Sequence, residues 1–165
     1  MIKKEYTLKE WDAREEYYQD TLMALNLPAL PTTKEVMDLT SKLDMYYTEA
    51  GFEYAQIKRK EAIILMDLKN AEIEMFSSIK QQQLTAGAKI TEADVKGLVK
   101  TYISKNPIAN YSTDLYTLAK FYMNRSTFME QVVKMISEKK SSIIATAAML
   151  KIENSFSGAV DGGRQ

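Results

Sequence analysis

The chain has 165 residues, of which 45% are hydrophobic and 27% charged, and it contains no cysteine and no histidine. Those two absences exclude disulfide bonds, thiol nucleophiles, histidine general bases and zinc sites built from Cys or His. No apolar run reaches the length of a membrane span, and we expect no secretory signal. The composition predicts a non-enzymatic protein of one domain or two small ones, without cofactor or metal, in a cytoplasmic setting.

Charge is distributed unevenly along the chain, although the formal net charge is zero. Residues 1–53 carry 6 basic and 11 acidic side chains, whereas residues 54–151 carry 15 basic and 9 acidic. We therefore expect an anionic partner, if there is one, to bind within the second segment. A solvated, lysine-rich helix surface is the alternative interpretation of the same charge.

The first segment, residues 1–31, is an acidic arm rich in aromatic side chains, among them Trp11 and Tyr17. A short helix is expected near residues 8–25, and the two prolines that follow would end it. Such an arm packs on its own domain, on a neighbouring subunit or on a partner protein, and the sequence leaves these three alternatives open.

A long helix is predicted over residues 32–86, with Gly51 as a candidate hinge. Thr32 and Glu35 have the spacing of a capping box at its start. Two rows of apolar residues eleven apart follow the helix: Leu43, Tyr54, Leu65 and Phe76, and Tyr46, Ile57, Leu68 and Ile79. Because eleven residues make 3.67 residues per turn, this pattern predicts a nearly straight apolar face. A helix of about 50 residues extends roughly 75 Å, so it must fold back or pair with another long helix.

Residues 87–156 are predicted to contain a short helix followed by a second long one. Thr91 has the position of an N-cap, and acidic residues fill the turn after it. The short helix should end before Pro107, because the residue that precedes a proline disfavours the helical conformation.

The second long helix is predicted to begin near Ser112 or Thr113. Six of its apolar residues fall seven apart: Leu115, Tyr122, Met129, Ile136, Ile143 and Leu150. This heptad pattern indicates an oligomer interface, although Arg125 and Lys139 interrupt the companion position. The patterns together predict an all-α fold, a long helical hairpin or coiled coil with a C-terminal oligomerisation helix. Residues 157–165 are predicted to form a disordered tail.

A cluster of basic residues on the first long helix is the candidate binding site: Lys58, Arg59, Lys60, Lys69 and Lys80. Three of these lysines are eleven residues apart, which places them on nearly one helix face at intervals of about 16 Å. Such a row suits the backbone of a nucleic acid, and Tyr54 and Phe76 could offer stacking faces. Core packing of both aromatic residues is the alternative.

The layout of residues 33–156 resembles the UvsY-like recombination mediators of tailed phages. The matching stretches are residues 54–78 and 113–153. In that family a Lys–x–Arg pair tied to DNA binding precedes a run like residues 75–77 of this chain. Here the matched positions, residues 70–72, read Asn-Ala-Glu, and Lys69 is the neighbouring cation that could replace the pair.

The resemblance implies a homo-oligomer, with a ring as its form, that binds single-stranded DNA through the basic cluster. It also implies help in loading a RecA-type recombinase against the single-strand binding protein, in a phage-infected bacterial host. A helical scaffolding protein, chaperone or inhibitor that acts through protein contacts alone is the alternative, which the acidic arm and the zero net charge favour. An enzyme is the third interpretation, but no pair of acids such as Glu72 and Glu74 is spaced to face one substrate.

Overall fold

The computed structural model describes a chain that is all-α, as the sequence predicts. The described residues are 8–29, 31–87, 89–106 and 113–161. They form four helices and no strand: α1 (Leu8–Ala24), α2 (Thr33–Thr85), α3 (Glu92–Lys105) and α4 (Leu115–Asp161). No helix in these ranges combines the length and the apolarity that crossing a bilayer requires.

The chain divides into two compact units. The terminal unit contains Met1–Phe52 and Glu130–Gln165, and the central unit contains Glu53–Met129. Each of the long helices, α2 and α4, therefore contributes one stretch to each unit. The helical backbone of α2 continues through Gly51, the candidate hinge.

Reciprocal side-chain caps fix the starts of α2 and α3. The backbone amide of Thr32 donates to Glu35 Oε2 at 2.7 Å, and the amide of Glu35 donates to Thr32 Oγ1 at 3.2 Å. Thr91 and Asp94 exchange the same pair of bonds, at 3.1 and 3.2 Å. These hydrogen bonds lower the pKa of both carboxyl groups, because they favour the charged form.

Both ends of α4 differ from the sequence-based bounds. The helix begins at Leu115, because the carboxylate of Asp114 accepts a hydrogen bond from the Thr117 amide at 2.9 Å. It ends at Asp161, so the helix includes residues 157–161 of the segment predicted as a tail. The single glycine at position 158 costs a helix only about 1 kcal/mol, which longer flanking stretches tolerate. Ser112 and residues 162–165 lie outside the described residues.

The aromatic arm packs within the terminal unit. Trp11 and Tyr18 are buried, and the guanidinium of Arg14 forms an ion pair with Glu49 of α2. The hydroxyl of Tyr17 donates to the same carboxylate at 3.2 Å, and desolvation and that carboxylate raise the pKa of this tyrosine. Of the three alternatives for the arm, packing on its own chain is the one observed.

The stretches of α2 and α4 in the terminal unit run antiparallel, and Lys140 pairs with Asp44 at 2.5 Å. Lys139, which interrupts the heptad pattern, donates to the carbonyl of Leu25 at 3.0 Å and to Asn26 Oδ1 at 2.8 Å. A cation at this position satisfies carbonyl groups where α1 has ended. The interruption is therefore a contact with α1.

The central unit is built on a core from three helices. Its buried members come from α2, α3 and α4: Ile64, Val95, Val99, Ile103, Leu115 and Ala119. The short helix α3 buries one face, formed by Val95, Val99 and Ile103, while Leu98 and Tyr102 at its margin are about half exposed, at 44% and 49%.

The fully buried residues of α2 repeat every seven residues, and the two predicted eleven-residue rows differ in outcome. The residues of one row are all buried or half-buried: Tyr46, Ile57, Leu68 and Ile79. Leu65, a member of the other row, is 38% exposed. The buried residues of the helix are Val36, Leu43 and Ala50 in the terminal unit, and Ile57 and Ile64 in the central unit. A seven-residue repeat matches that of α4, and two helices that pack at a shallow angle share this period.

Candidate nucleic-acid interface

The five predicted DNA-binding residues all lie on α2 within the central unit. Lys58, Arg59, Lys69 and Lys80 are exposed. Lys60 is half-buried, with its Nζ 5.9 Å from the ring centroid of Tyr122, so it contributes to packing between α2 and α4. The structure therefore leaves four of the five cations at the surface.

Three of these cations form a row along one side of α2, which we call the basic row: Lys58, Lys69 and Lys80. Eleven residues of helix turn by 20° beyond three full turns and rise about 16 Å, so the row follows the helix axis closely. Lys58 Nζ also pairs with Glu61 at 3.0 Å, whereas Arg59 and Lys69 form no ion pair within the described ranges.

Phe76 is an aromatic residue beside the basic row. Its side chain is half-buried against the core of the central unit, and the Nζ of Lys80 lies 5.8 Å from its ring centroid. Tyr54, the other predicted stacking residue, is also half-buried. Phe76 thus packs on the core and remains partly exposed, and its stacking on a base stays a prediction.

An open cleft of about 520 Å³ in the central unit adjoins Phe76. Side chains from α2, α3 and α4 line it, including Glu72, Phe76, Lys96, Val99, Lys100 and Tyr116. Sequence reasoning missed the two lysines of α3. Their spacing of four residues on one side of a capped helix was a visible signal, but only the tertiary fold places them beside Phe76.

Glu72 has a tertiary partner in this cleft. The hydroxyl of Tyr116 donates to its Oε1 at 2.5 Å. Desolvation, together with the hydrogen bond and the negative charge of Glu72, raises the pKa of Tyr116 to about 12, so the phenol is neutral and the carboxylate accepts. Glu72 occupies one of the positions matched to the Lys–x–Arg pair, and here it connects α2 to α4.

The heptad residues predicted as an oligomer interface are largely covered by the same chain. Leu115, Met129 and Ile136 are fully buried, and Ile143 is 5% exposed. Tyr122 and Leu150 are half-buried. In this fold the heptad face of α4 packs largely inside the chain, and Tyr122 and Leu150 are its partly exposed members.

The central unit exposes a different apolar surface on α2. We call this surface the apolar stripe, and it consists of Ile63, Met66, Ile73 and Leu84. At 100° per residue these four positions lie within 80° of one another on α2, on the side opposite the buried heptad. They are between 43% and 65% exposed. Exposed apolar patches of this kind mark surfaces that contact other macromolecules.

Comparisons of the chain with models of protein families, with curated proteins and with solved structures gave no match.

Proposed function

We propose that this protein binds single-stranded DNA through the central unit and acts as a recombination mediator. The observation that carries the proposal is the exposed row of cations on α2, with Phe76 beside it. Single-strand binders combine a cationic track for the phosphates with aromatic faces for the bases. The UvsY-like layout of the helices supports the more specific role that we propose, which is to assist a RecA-type recombinase in the cytoplasm of an infected bacterium.

The affinity would come mainly from phosphate neutralisation. Each phosphate contact on a single strand contributes about −0.7 to the slope of log affinity against log salt. Four contacts, from the basic row and Arg59, would give a slope of about −2.8. Affinity would then fall about 50-fold between 50 and 200 mM salt.

A charge-reversal experiment with a matched control tests this proposal. Arg59→Glu combined with Lys69→Glu should weaken binding of a labelled oligo(dT) at least tenfold by fluorescence anisotropy. Lys34→Glu combined with Lys42→Glu makes the same change in net charge at exposed positions of α2 in the terminal unit, and should have a much smaller effect. Equal effects of both pairs would show that only total charge matters, and would contradict a DNA surface on the basic row.

Protein contact is the second candidate function, and the apolar stripe favours it. A homo-oligomer, with a ring as one form, would bury this stripe between copies, and a scaffolding or inhibitory role would bury it against another protein. Light scattering of the intact chain should give several times 18.8 kDa if copies associate.

Ile63→Glu combined with Met66→Glu should return the mass to one chain, because each change would bury an unpaired charge in the interface. Met23→Glu, at a 68% exposed position of α1, is the control and should leave the mass unchanged. A wild-type monomer at micromolar concentration would contradict self-association.

A further inference from the structure

The cleft of the central unit has the size and the lining of a small-molecule site. Its volume of about 520 Å³ lies inside the range of roughly 300–1,000 Å³ that such sites occupy. Phe76 and Val99 supply apolar surface, and polar groups converge from α3 and α4. An aromatic face in a cleft of this size accommodates a planar ring.

Lysines from α2 and α3 lie near Phe76 and its cleft. Lys80 approaches its ring at 5.8 Å, and Lys96 and Lys100 line the cleft from α3. Lys96 is paired with Glu92 at 3.2 Å, whereas Lys100 forms no ion pair within the described part of the chain. Lys100 is therefore the cation available to an anionic group that enters the cleft.

Hydrogen-bond acceptors also line the cleft, and Glu72 is the one on the same helix as Phe76, whereas Glu92 is paired with Lys96. Tyr116 occupies Oε1 of Glu72, and the carboxylate retains lone pairs on its second oxygen. A carboxylate of this kind accepts from an exocyclic amine, as acids do from the N4 amine of cytosine. Thymine presents no such amine, so the acceptor would discriminate between bases.

We propose that the cleft holds one nucleotide of the bound strand, with an amino-bearing base stacked on Phe76, its amine donating to Glu72, and its phosphate at Lys100. This inference rests on the proposed function, and deepens it from a phosphate track to a site that selects bases. The row supplies general affinity, and the cleft supplies preference for cytosine or adenine over thymine.

Binding of matched oligonucleotides tests the cleft separately from the row. Oligo(dC) of 12 nucleotides should bind about tenfold more tightly than oligo(dT) of the same length, because hydrogen bonds to charged groups contribute free energies of this order. Binding of neither strand at low salt would overturn the proposed function together with the cleft. Equal binding of both would leave the proposed function standing and overturn the cleft.

Variants in the cleft make the test specific. Glu72→Gln retains an oxygen for Tyr116 but presents an amide donor, so it should abolish the preference for oligo(dC), measured as the ratio of the oligo(dT) and oligo(dC) dissociation constants. Lys100→Gln should weaken the binding of both oligonucleotides. Lys105→Gln, at an exposed position of α3 away from the cleft, should weaken the binding of neither. Retention of the preference in Glu72→Gln, or equal effects of the two lysine variants, would overturn the proposal.

A crosslinking measurement avoids any change to the protein. Oligo(dC) that carries a single 5-iodocytosine should crosslink on irradiation to a peptide containing Phe76 or Tyr116, identified by mass spectrometry. Crosslinks confined to peptides of the terminal unit would overturn the proposed site.

Discussion

Replacing Ile136 with Ala distinguishes a heptad face buried inside the chain from one buried between chains. Ile136 is fully buried in the terminal unit, so the change removes two methyl groups and a methylene where neighbours pack from all sides. Changes of this kind cost about 2–5 kcal/mol in the free energy of unfolding, from lost transfer energy and the cavity left behind. Ile144 lies one residue beyond the heptad position Ile143 and is 53% exposed, so Ile144→Ala should cost about 1 kcal/mol or less.

Urea unfolding, monitored by tryptophan fluorescence, measures this difference in the unit that contains both substitutions. Trp11 is the only tryptophan of the chain, and it is buried in the terminal unit that contains both isoleucines. Ile136→Ala should lower the midpoint by the same amount at every protein concentration. A cost below about 1 kcal/mol for Ile136→Ala, or a midpoint that still rises steeply with protein concentration in the Ile63→Glu, Met66→Glu variant, would refute the intrachain packing.

Three further changes test single contacts. Thr91→Ala should cost about 0.5–2 kcal/mol through loss of the α3 cap, whereas Thr101→Ala inside the same helix should be near neutral, as thermal unfolding would show. Lys139→Met should cost about 0.5–1.5 kcal/mol in urea through loss of its bonds to the end of α1. Tyr116→Phe should destabilise the chain at neutral pH. Because the folded-state pKa of this tyrosine is raised from 10.0 to about 12, its stabilising effect is complete below pH 10 and is lost as pH rises towards 12. The stability gap between wild type and Tyr116→Phe should therefore close across that window, and a constant gap would contradict the bond to Glu72.

Local chemistry made parts of this fold predictable. The caps at Thr32 and Thr91 depend on residues three positions away, so a short stretch of sequence contains all the required information. The α3 helix was predictable for the same reason, since its cap and its apolar face both lie within 15 residues.

Features that depend on tertiary partners were not predictable. A heptad pattern shows that a helix packs against another helix, but it does not specify whether the partner is α2 of the same chain or a second copy. Glu72 looked like an isolated acid because Tyr116 is 44 residues away. The cleft lysines Lys96 and Lys100 likewise gained significance only when α3 was placed beside Phe76.

The salt dependence of oligo(dT) binding tests the central claim most directly. Titration of the wild-type chain at a series of salt concentrations should give tight binding at low salt and a slope of about −2.8 or steeper in log affinity against log salt. The Arg59→Glu, Lys69→Glu variant should bind more weakly, with a slope nearer −1.4. Absence of binding at low salt, or a wild-type affinity that salt does not change, would contradict a DNA-binding surface on α2.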